Sequence, residues 1–406
     1  MARVADTAEI QAGDRLARRN ARILAAASAL GSANASIVVA TGGLVGQAIA
    51  PAPALATAPV TAFVSGTAVA AIPAALLMKR FGRRTGFMAG TLVGIVAGLL
   101  AALSVRRGLF SLFVLATFLA GFYGAFVQQY RFAAADTASD AFRPRAISWV
   151  LAGGVLAGVI GPQTVIHTAY LLPPFTFLAS YLAQAGLALL SLGLLAFLEV
   201  PPPPAASASR SSGRPLREIA ANPRFLVAVL CAVASYVLMN FVMTASPLAM
   251  VGCGHSVSDS TLAIQWHVIA MFAPSFFTGT LIARFGKTRV VAFGFVLLAG
   301  CGIVALAGLT LAHFWTALVL LGIGWNFSFV GATAMLTDTY KPEERAKVQA
   351  ANDFAVFASV ALGSLSAGAV FTAAGWSIVN LVLFPGAALC LAALAWLTLQ
   401  RRPAMP

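Results

Sequence analysis

Charged residues are scarce in this sequence of 406 amino acids. Asp, Glu, Lys and Arg make up 9% of it, only 12 residues are acidic, and apolar residue types make up 60%. An ordinary soluble domain is about 25% charged and about 45–50% apolar. A water-facing surface could not be covered with so few charges, so a soluble enzyme is excluded. The composition predicts a polytopic membrane protein.

Enzyme motifs are absent as well. The sequence has no phosphate-binding loop, nucleotide-binding motif or catalytic-triad pattern, and no polar segment long enough to form an ATPase. We therefore predict a protein that is not an enzyme and has no resident cofactor. Ion or solute gradients would then supply the energy for its work.

Long apolar runs fill most of the chain. A bilayer span needs roughly 20 apolar residues, and twelve such runs occur, six before and six after the Pro-rich segment that begins at Pro201. We predict an all-α membrane protein with two six-helix bundles. The predicted parts are a cytoplasmic tail (1–22), an N-terminal bundle (23–199), a cytoplasmic linker (200–224), a C-terminal bundle (225–400) and a cytoplasmic C-terminal tail (401–406).

Basic residues cluster between these runs. The formal net charge of +14 is compatible with nucleic-acid binding. However, all 26 Lys and Arg residues except Arg106 and Arg107 fall on one face once the loops are assigned to alternate sides. Such an excess marks the cytoplasmic face. We therefore predict cytoplasmic termini, a bacterial inner-membrane location with lipid as a partner, no nucleic-acid partner, and a monomer.

An internal repeat links the two predicted bundles. The loop after the second run carries Arg80, Gly82, Arg83 and Arg84, and the loop after the eighth run carries Arg284, Gly286 and Lys287. Equivalent loops in two halves indicate duplication.

These loops resemble the Gly-x-Leu-x-Asp-Arg-x-Gly-Arg-Arg signature of the major facilitator superfamily. The resemblance implies twelve spans, alternating access and conformational roles for the seven loop residues. Lys79 and Ala283 replace the signature's Asp, so its charge-relay role is not carried over. Mid-span acids are also missing from the predicted cavity-lining helices, which disfavours a proton-driven exporter but leaves coupling through His or Asp353 open.

Soft metal-ligand side chains concentrate in the seventh and eighth runs. Met239 and Met243 are four residues apart, as are His267 and Met271, and residues four apart share a helix face. At about 1.5 Å per residue, Met239 matches Met271 in depth and Met243 matches His267. Neutral thioethers select Cu(I), so the four residues form a predicted copper site.

The same pattern resembles the CcoA-like copper importers of the superfamily, whose cysteines match Cys231 and Cys253. The resemblance implies import of copper for cytochrome oxidase assembly. It makes the copper ion, as substrate, and a cytosolic copper chaperone the expected partners. By proximity, His255 and Met250 join the two cysteines as a predicted relay.

Two alternatives stay open. An organic-solute transporter of the same superfamily, such as a riboflavin importer, would line a ring-stacking cavity with aromatic side chains; the candidates are Trp149, Tyr123, Tyr130, Tyr236 and Trp325. A non-transporting copper sensor or scaffold is the other, although no soluble output domain is visible in the sequence.

Overall fold

The computed structural model describes residues 2–136, 138–139, 142–200 and 213–400, without the side chains of 2–14, 144, 342 and 346. The predicted C-terminal tail and the linker residues 201–212 lie outside the described residues.

The described part of the chain is helical and contains no strand. Its α-helices are α1 (Ala2–Ile49), α2 (Ala58–Phe81), α3 (Arg83–Arg107), α4 (Phe110–Gln128), α5 (Tyr130–Asp136), α6 (Arg143–Thr168), α7 (Leu178–Leu195), α8 (Leu216–Ala220), α9 (Pro223–Gly252), α10 (Val257–Phe272), α11 (Ser275–Phe285), α12 (Lys287–Ala307), α13 (Leu311–Leu336), α14 (Arg345–Leu381) and α15 (Leu383–Leu399).

Membrane crossings follow from the lengths of these helices. Among the described residues, ten helical stretches are long and apolar enough to span, and the pair α10 and α11, bent by 43°, adds another. One of the ten, Lys347–Leu399, has 53 residues, roughly 80 Å of helix against roughly 30 Å of hydrocarbon. Gly375 divides it, because its φ of 76° and ψ of −177° are not helical. Twelve crossings result, and the predicted all-α membrane fold is confirmed.

The chain divides into two compact units. The first comprises Met1–Pro51 and Ala62–Ala206, and the second comprises Ala52–Thr61 and Ser207–Pro406. The short segment before α2 thus packs with the second unit, where the Thr57 hydroxyl donates a hydrogen bond to the Ser364 carbonyl at 3.1 Å.

Aromatic residues fill the core of the first unit. Tyr123 and Tyr130 are buried there, and the ring of Tyr130 meets the ring of Phe87 edge-on at 4.7 Å. Within this unit α1 packs against α6 and α7, and α3 packs against α4 and α7.

In the second unit, α9 and α13 are central. Helix α9 packs against α13, α14 and α15, whereas α13 also contacts α10 and α12. Helix α10 approaches α13 closely at Gly322, where an added Cβ would lie 2.6 Å from the His267 carbonyl oxygen. Close packing at small residues is typical of helices in membranes, and here it fixes His267 against α13.

Candidate functional site

The four predicted metal ligands are all buried in the second unit. Met239 and Met243 lie on α9, and His267 and Met271 lie on α10, each less than a tenth exposed. Among the described residues, no group of three or more His, Cys, Asp or Glu side chains is arranged to hold a metal ion.

His267 is bonded to the neighbouring helix α13. Its Nδ1 lies 2.8 Å from the Leu318 carbonyl oxygen, which can only accept, so Nδ1 carries the proton and donates. Its Nε2 is buried without a partner. The structure thus holds one ring nitrogen of this imidazole against α13, and the predicted pairing with a methionine across a cavity stays a prediction.

The predicted relay residues lie in different surroundings. Cys231 and Met250 are fully buried on α9. Cys253 is exposed at the end of α9. The Nε2 of His255 lies 2.8 Å from the Leu309 carbonyl oxygen. These contacts are those of helix packing and loop capping.

Of the five aromatic residues predicted for a ring-binding cavity, three lie elsewhere. Tyr123 and Tyr130 belong to the core of the first unit. Trp149 contacts Phe142 edge-on at 5.4 Å and lies beneath the guanidinium of Arg22. These three rings serve packing within the first unit.

Tyr236 and Trp325 do come together, with ring centroids 5.3 Å apart. Phe329 stacks on Trp325 at 5.2 Å with 12° between the planes. Phe357 lies 5.9 Å from Tyr236, and Phe272 lies 6.1 Å from Trp325. We call these five rings the aromatic cluster. Its members come from α9, α10, α13 and α14, so one site collects rings from four helices of the second unit.

Polar atoms without partners lie on the helices that carry the aromatic cluster. The Trp325 Nε1 is buried and unbonded, and so are the Asn240 Nδ2 and the Thr244 Oγ1 on α9. Asn240 is four residues beyond Tyr236 and Thr244 is eight, so all three lie on one helix face. Asn240 is neither ionisable nor sulfur-containing, so the sequence prediction did not include it. The sequence feature that could have indicated it is an amide side chain one turn from Tyr236 within an apolar run.

A buried amide spans the break between α10 and α11. The Asn326 Nδ2 donates hydrogen bonds to the Met271 carbonyl and to the Ser275 hydroxyl, each at 2.7 Å. Its Oδ1 accepts one from the Thr278 hydroxyl at 2.6 Å. Pro274 has no backbone N–H and interrupts the helix, and Asn326 pairs the carbonyl of Met271 beside this interruption.

The two loops predicted to be conformational have the same local structure. Gly82 and Gly286 have φ values of 82° and 87°, a region that favours glycine. Arg80 covers the ring of Phe81 at 5.2 Å, and Arg284 covers Phe285 at 5.3 Å. The duplication inferred from the sequence therefore extends to backbone conformation and stacking.

Acidic residues from the next loop partner these turns. Asp136 pairs with Arg83, and Asp338 pairs with Lys287 at 2.6 Å and also with Arg224. In each half, a basic residue of the signature loop thus pairs with a carboxylate that follows the fourth or the tenth crossing. Arg84 donates instead to the Ala196 carbonyl at 2.6 Å.

A cavity of about 550 Å³ lies in the first unit. Arginines dominate its lining, which is formed by Arg15, Arg18, Arg19, Arg22, Ile23, Leu194 and Phe197. Arg19 is paired with Glu199. The cavity contains none of the residues predicted to bind a substrate.

Comparison with known proteins identifies relatives along the whole chain. The model of the Major Facilitator Superfamily matches residues 23–327 and 230–406. The riboflavin transporter RfnT of Brucella anthropi is 51% identical over 376 residues, which cover 92% of this chain and 94% of that protein. The uncharacterised MFS-type transporter YddS of Bacillus subtilis is 30% identical over 62% of each chain.

A solved structure agrees in fold. A bacterial homologue of the human lysosomal transporter Spinster, in an inward-facing and unoccupied conformation, matches with a TM-score of 0.73 at 14% identity. The match covers 96% of this chain and 99% of that one. At this identity the likeness concerns the fold alone.

These findings overturn the prediction of copper import. The relative that shares half of its residues with this chain is a riboflavin transporter, so the organic-solute alternative fits better. The physical reason is that residues four apart share a helix face whether it binds a metal or packs, and methionine is a common packing residue. The expected copper and copper-chaperone partners, and the metal assignment of the four side chains, stay untested predictions.

Proposed function

The chain belongs to the Major Facilitator Superfamily, and we propose that it imports riboflavin, or a neutral flavin closely related to it, across the bacterial inner membrane. The observation that carries this proposal is the 51% identity to a riboflavin transporter over nearly the full length of both proteins.

The aromatic cluster supports a planar cargo. Stacking between a heterocyclic base and an aromatic side chain contributes about 1–3 kcal/mol, and small-molecule sites are mostly apolar with a few placed polar groups. Tyr236 and Trp325 lie near the middle of α9 and α13, roughly 20 Å from the start of each helix. Substrate sites of secondary transporters lie at this depth.

A site formed by aromatic and neutral polar groups suits an uncharged solute. Transport would proceed by alternating access, as the family membership implies. The equivalent loops at Gly82 and Gly286 contain ion pairs, which would form and break at the predicted cytoplasmic face during transport.

Labelled riboflavin uptake tests the proposal directly. A bacterial strain that neither makes nor imports riboflavin should grow on low riboflavin and accumulate the labelled vitamin when it expresses this protein. The control is a strain that carries the empty vector. Uptake no higher than in that control, with the protein detected in the membrane, would contradict the proposal.

A further inference from the structure

We propose that Trp325 Nε1 and Asn240 Nδ2 donate hydrogen bonds to the acceptor edge of a planar, uncharged ring that rests on the aromatic cluster. This inference builds on the proposed function and specifies which part of the cargo the second unit recognises. It also predicts which flavins the carrier rejects.

Two buried hydrogen-bond donors of the second unit have no partner. Trp325 is 6% exposed and Asn240 is 3% exposed, yet neither the indole N–H nor the amide N–H₂ has a partner. Most buried polar atoms in proteins are hydrogen-bonded, so an exception calls for an explanation. A ligand that accepts both hydrogen bonds accounts for both donors.

The two donors lie on neighbouring helices, α9 and α13. The ring of Tyr236 lies 5.3 Å from the ring of Trp325, and Asn240 lies one turn from Tyr236 on the same face of α9. Helices α9 and α13 pack against each other. Tyr236, Phe329 and Phe357 are only partly buried, so the cluster has an accessible side on which a planar ligand can stack.

Both unpaired groups require a ligand that accepts hydrogen bonds. An indole N–H can only donate, and an amide nitrogen donates as well. Their partner must therefore present acceptors, such as carbonyl oxygens or unprotonated ring nitrogens, along one edge. A flavin-like ring, which carries carbonyls and ring nitrogens on one side and an apolar benzenoid end on the other, satisfies both requirements.

The helices that carry the aromatic cluster have few charged residues. Helices α10 and α13 contain no Lys or Arg, and α9 has only Arg224 near its start. On α14, the charged side chain nearest in sequence to the cluster is Asp353, one turn before Phe357. The Asp353 carboxylate accepts a hydrogen bond from the Asn352 Nδ2 at 3.2 Å. A carboxylate repels phosphate, and no cation on these helices lies beside the cluster. The site therefore takes neutral rings and excludes phosphorylated ones.

Substitution of one atom group at a time tests the donors. Trp325→Phe keeps an aromatic ring and removes the N–H, so it should raise the KM for riboflavin about threefold to tenfold and leave the maximal rate little changed. Asn240→Leu should raise the KM to a similar extent. Trp376→Phe is the matched control, because Trp376 also has a buried, unbonded Nε1 but contacts Phe314, which lies near the start of α13, three turns from Trp325. Its KM should equal that of the wild type.

Competition tests the ligand class. Lumichrome, which has the ring but no side chain, should compete with labelled riboflavin, whereas flavin mononucleotide, which adds a phosphate, should compete about tenfold or more weakly. Competition by flavin mononucleotide equal to that by riboflavin would overturn the charge argument. Wild-type KM values in both Trp325→Phe and Asn240→Leu would overturn the hydrogen-bond argument.

Binding to the purified full-length protein separates this inference from the proposed function. If cells with the wild-type protein import no riboflavin, the proposed function fails. Quenching of lumichrome fluorescence by the purified protein still decides the site. Binding weakened by Trp325→Phe but not by Trp376→Phe supports it, and absent or unchanged binding refutes it.

Discussion

Glu344 is an acidic side chain buried completely at the end of the loop before α14. Its carboxylate accepts hydrogen bonds from the Arg214 guanidinium and from the backbone N–H groups of Arg214 and Lys341, each at 2.9 Å. The guanidinium, followed by the Lys341 backbone, holds the pKa of Glu344 far below its usual range. This network ties the end of the linker to the second unit.

We predict that Glu344→Gln lowers the thermal midpoint of the purified protein by a few degrees. A depressed carboxyl pKa stabilises the fold above the ordinary value of about 4.3, and the contribution is lost only as the pH falls through the lower, folded value. The deficit of the variant should therefore be the same at pH 5.5 and pH 8. Glu343→Gln is the control, since Glu343 is exposed. A deficit that disappears between these two pH values would argue against the network.

Residue identity alone leaves the site open, because one side chain can serve two purposes. Met239 and His267 have the types and spacing of metal ligands, yet a methionine fills a core equally well and His267 satisfies a carbonyl of α13. Asn240 carried no motif, and its unpaired amide becomes visible only when its neighbours are placed. Tyr236 and Trp325 were among the aromatic candidates, but only the fold separates them from Tyr123 and Tyr130.

At the scale of elements, the break between α10 and α11 replaces the single straight span expected from the apolar run. Pro274 at the break was visible in the sequence, but the hydrogen bonds at the 43° bend come from Asn326, which lies some fifty residues further along the chain. The periodicity of a sequence indicates which face of a helix is apolar. It cannot indicate which distant side chain donates a hydrogen bond to a backbone carbonyl at a helix break. The same holds for Gly375, whose conformation divides a helix that its composition would continue.

We predict that Asn326→Leu destabilises the protein by about 1–2 kcal/mol, since hydrogen bonds between membrane helices contribute modestly and three are lost. The thermal midpoint in detergent measures this loss. Ser275→Ala removes one of the three partners, so its effect should be smaller. An Asn326→Leu protein as stable as the wild type would show that the break is held by packing alone.

Across the whole molecule, the sequence predicted the architecture well, because a bilayer imposes span length and charge asymmetry on any chain that crosses it. Six apolar runs before the linker and six after it became twelve crossings, and the repeated loops at Gly82 and Gly286 share their backbone conformation. Substrate identity followed less readily, because both halves of a transporter can bury sulfur and aromatic groups for packing.

The duplicated loops lead to a prediction about turnover. Asp338 binds two cations, Lys287 and Arg224, whereas Asp136 has Arg83. Because these contacts lie far from the aromatic cluster, Asp338→Asn should lower the maximal rate of riboflavin uptake severalfold and leave its KM unchanged. Asp338→Glu retains the charge and should recover part of the rate. A raised KM in Asp338→Asn would instead connect this loop to cargo binding.

The distribution of thiols provides a reporter. Three of the four cysteines are buried, and only Cys253 is exposed, at the end of α9. A membrane-impermeant maleimide added outside intact cells would therefore attach a fluorophore at one native position, with no cysteine-free background required. Tyr236 and Asn240 lie on the same helix, so the colour or anisotropy of that single dye would follow the helix as cargo binds.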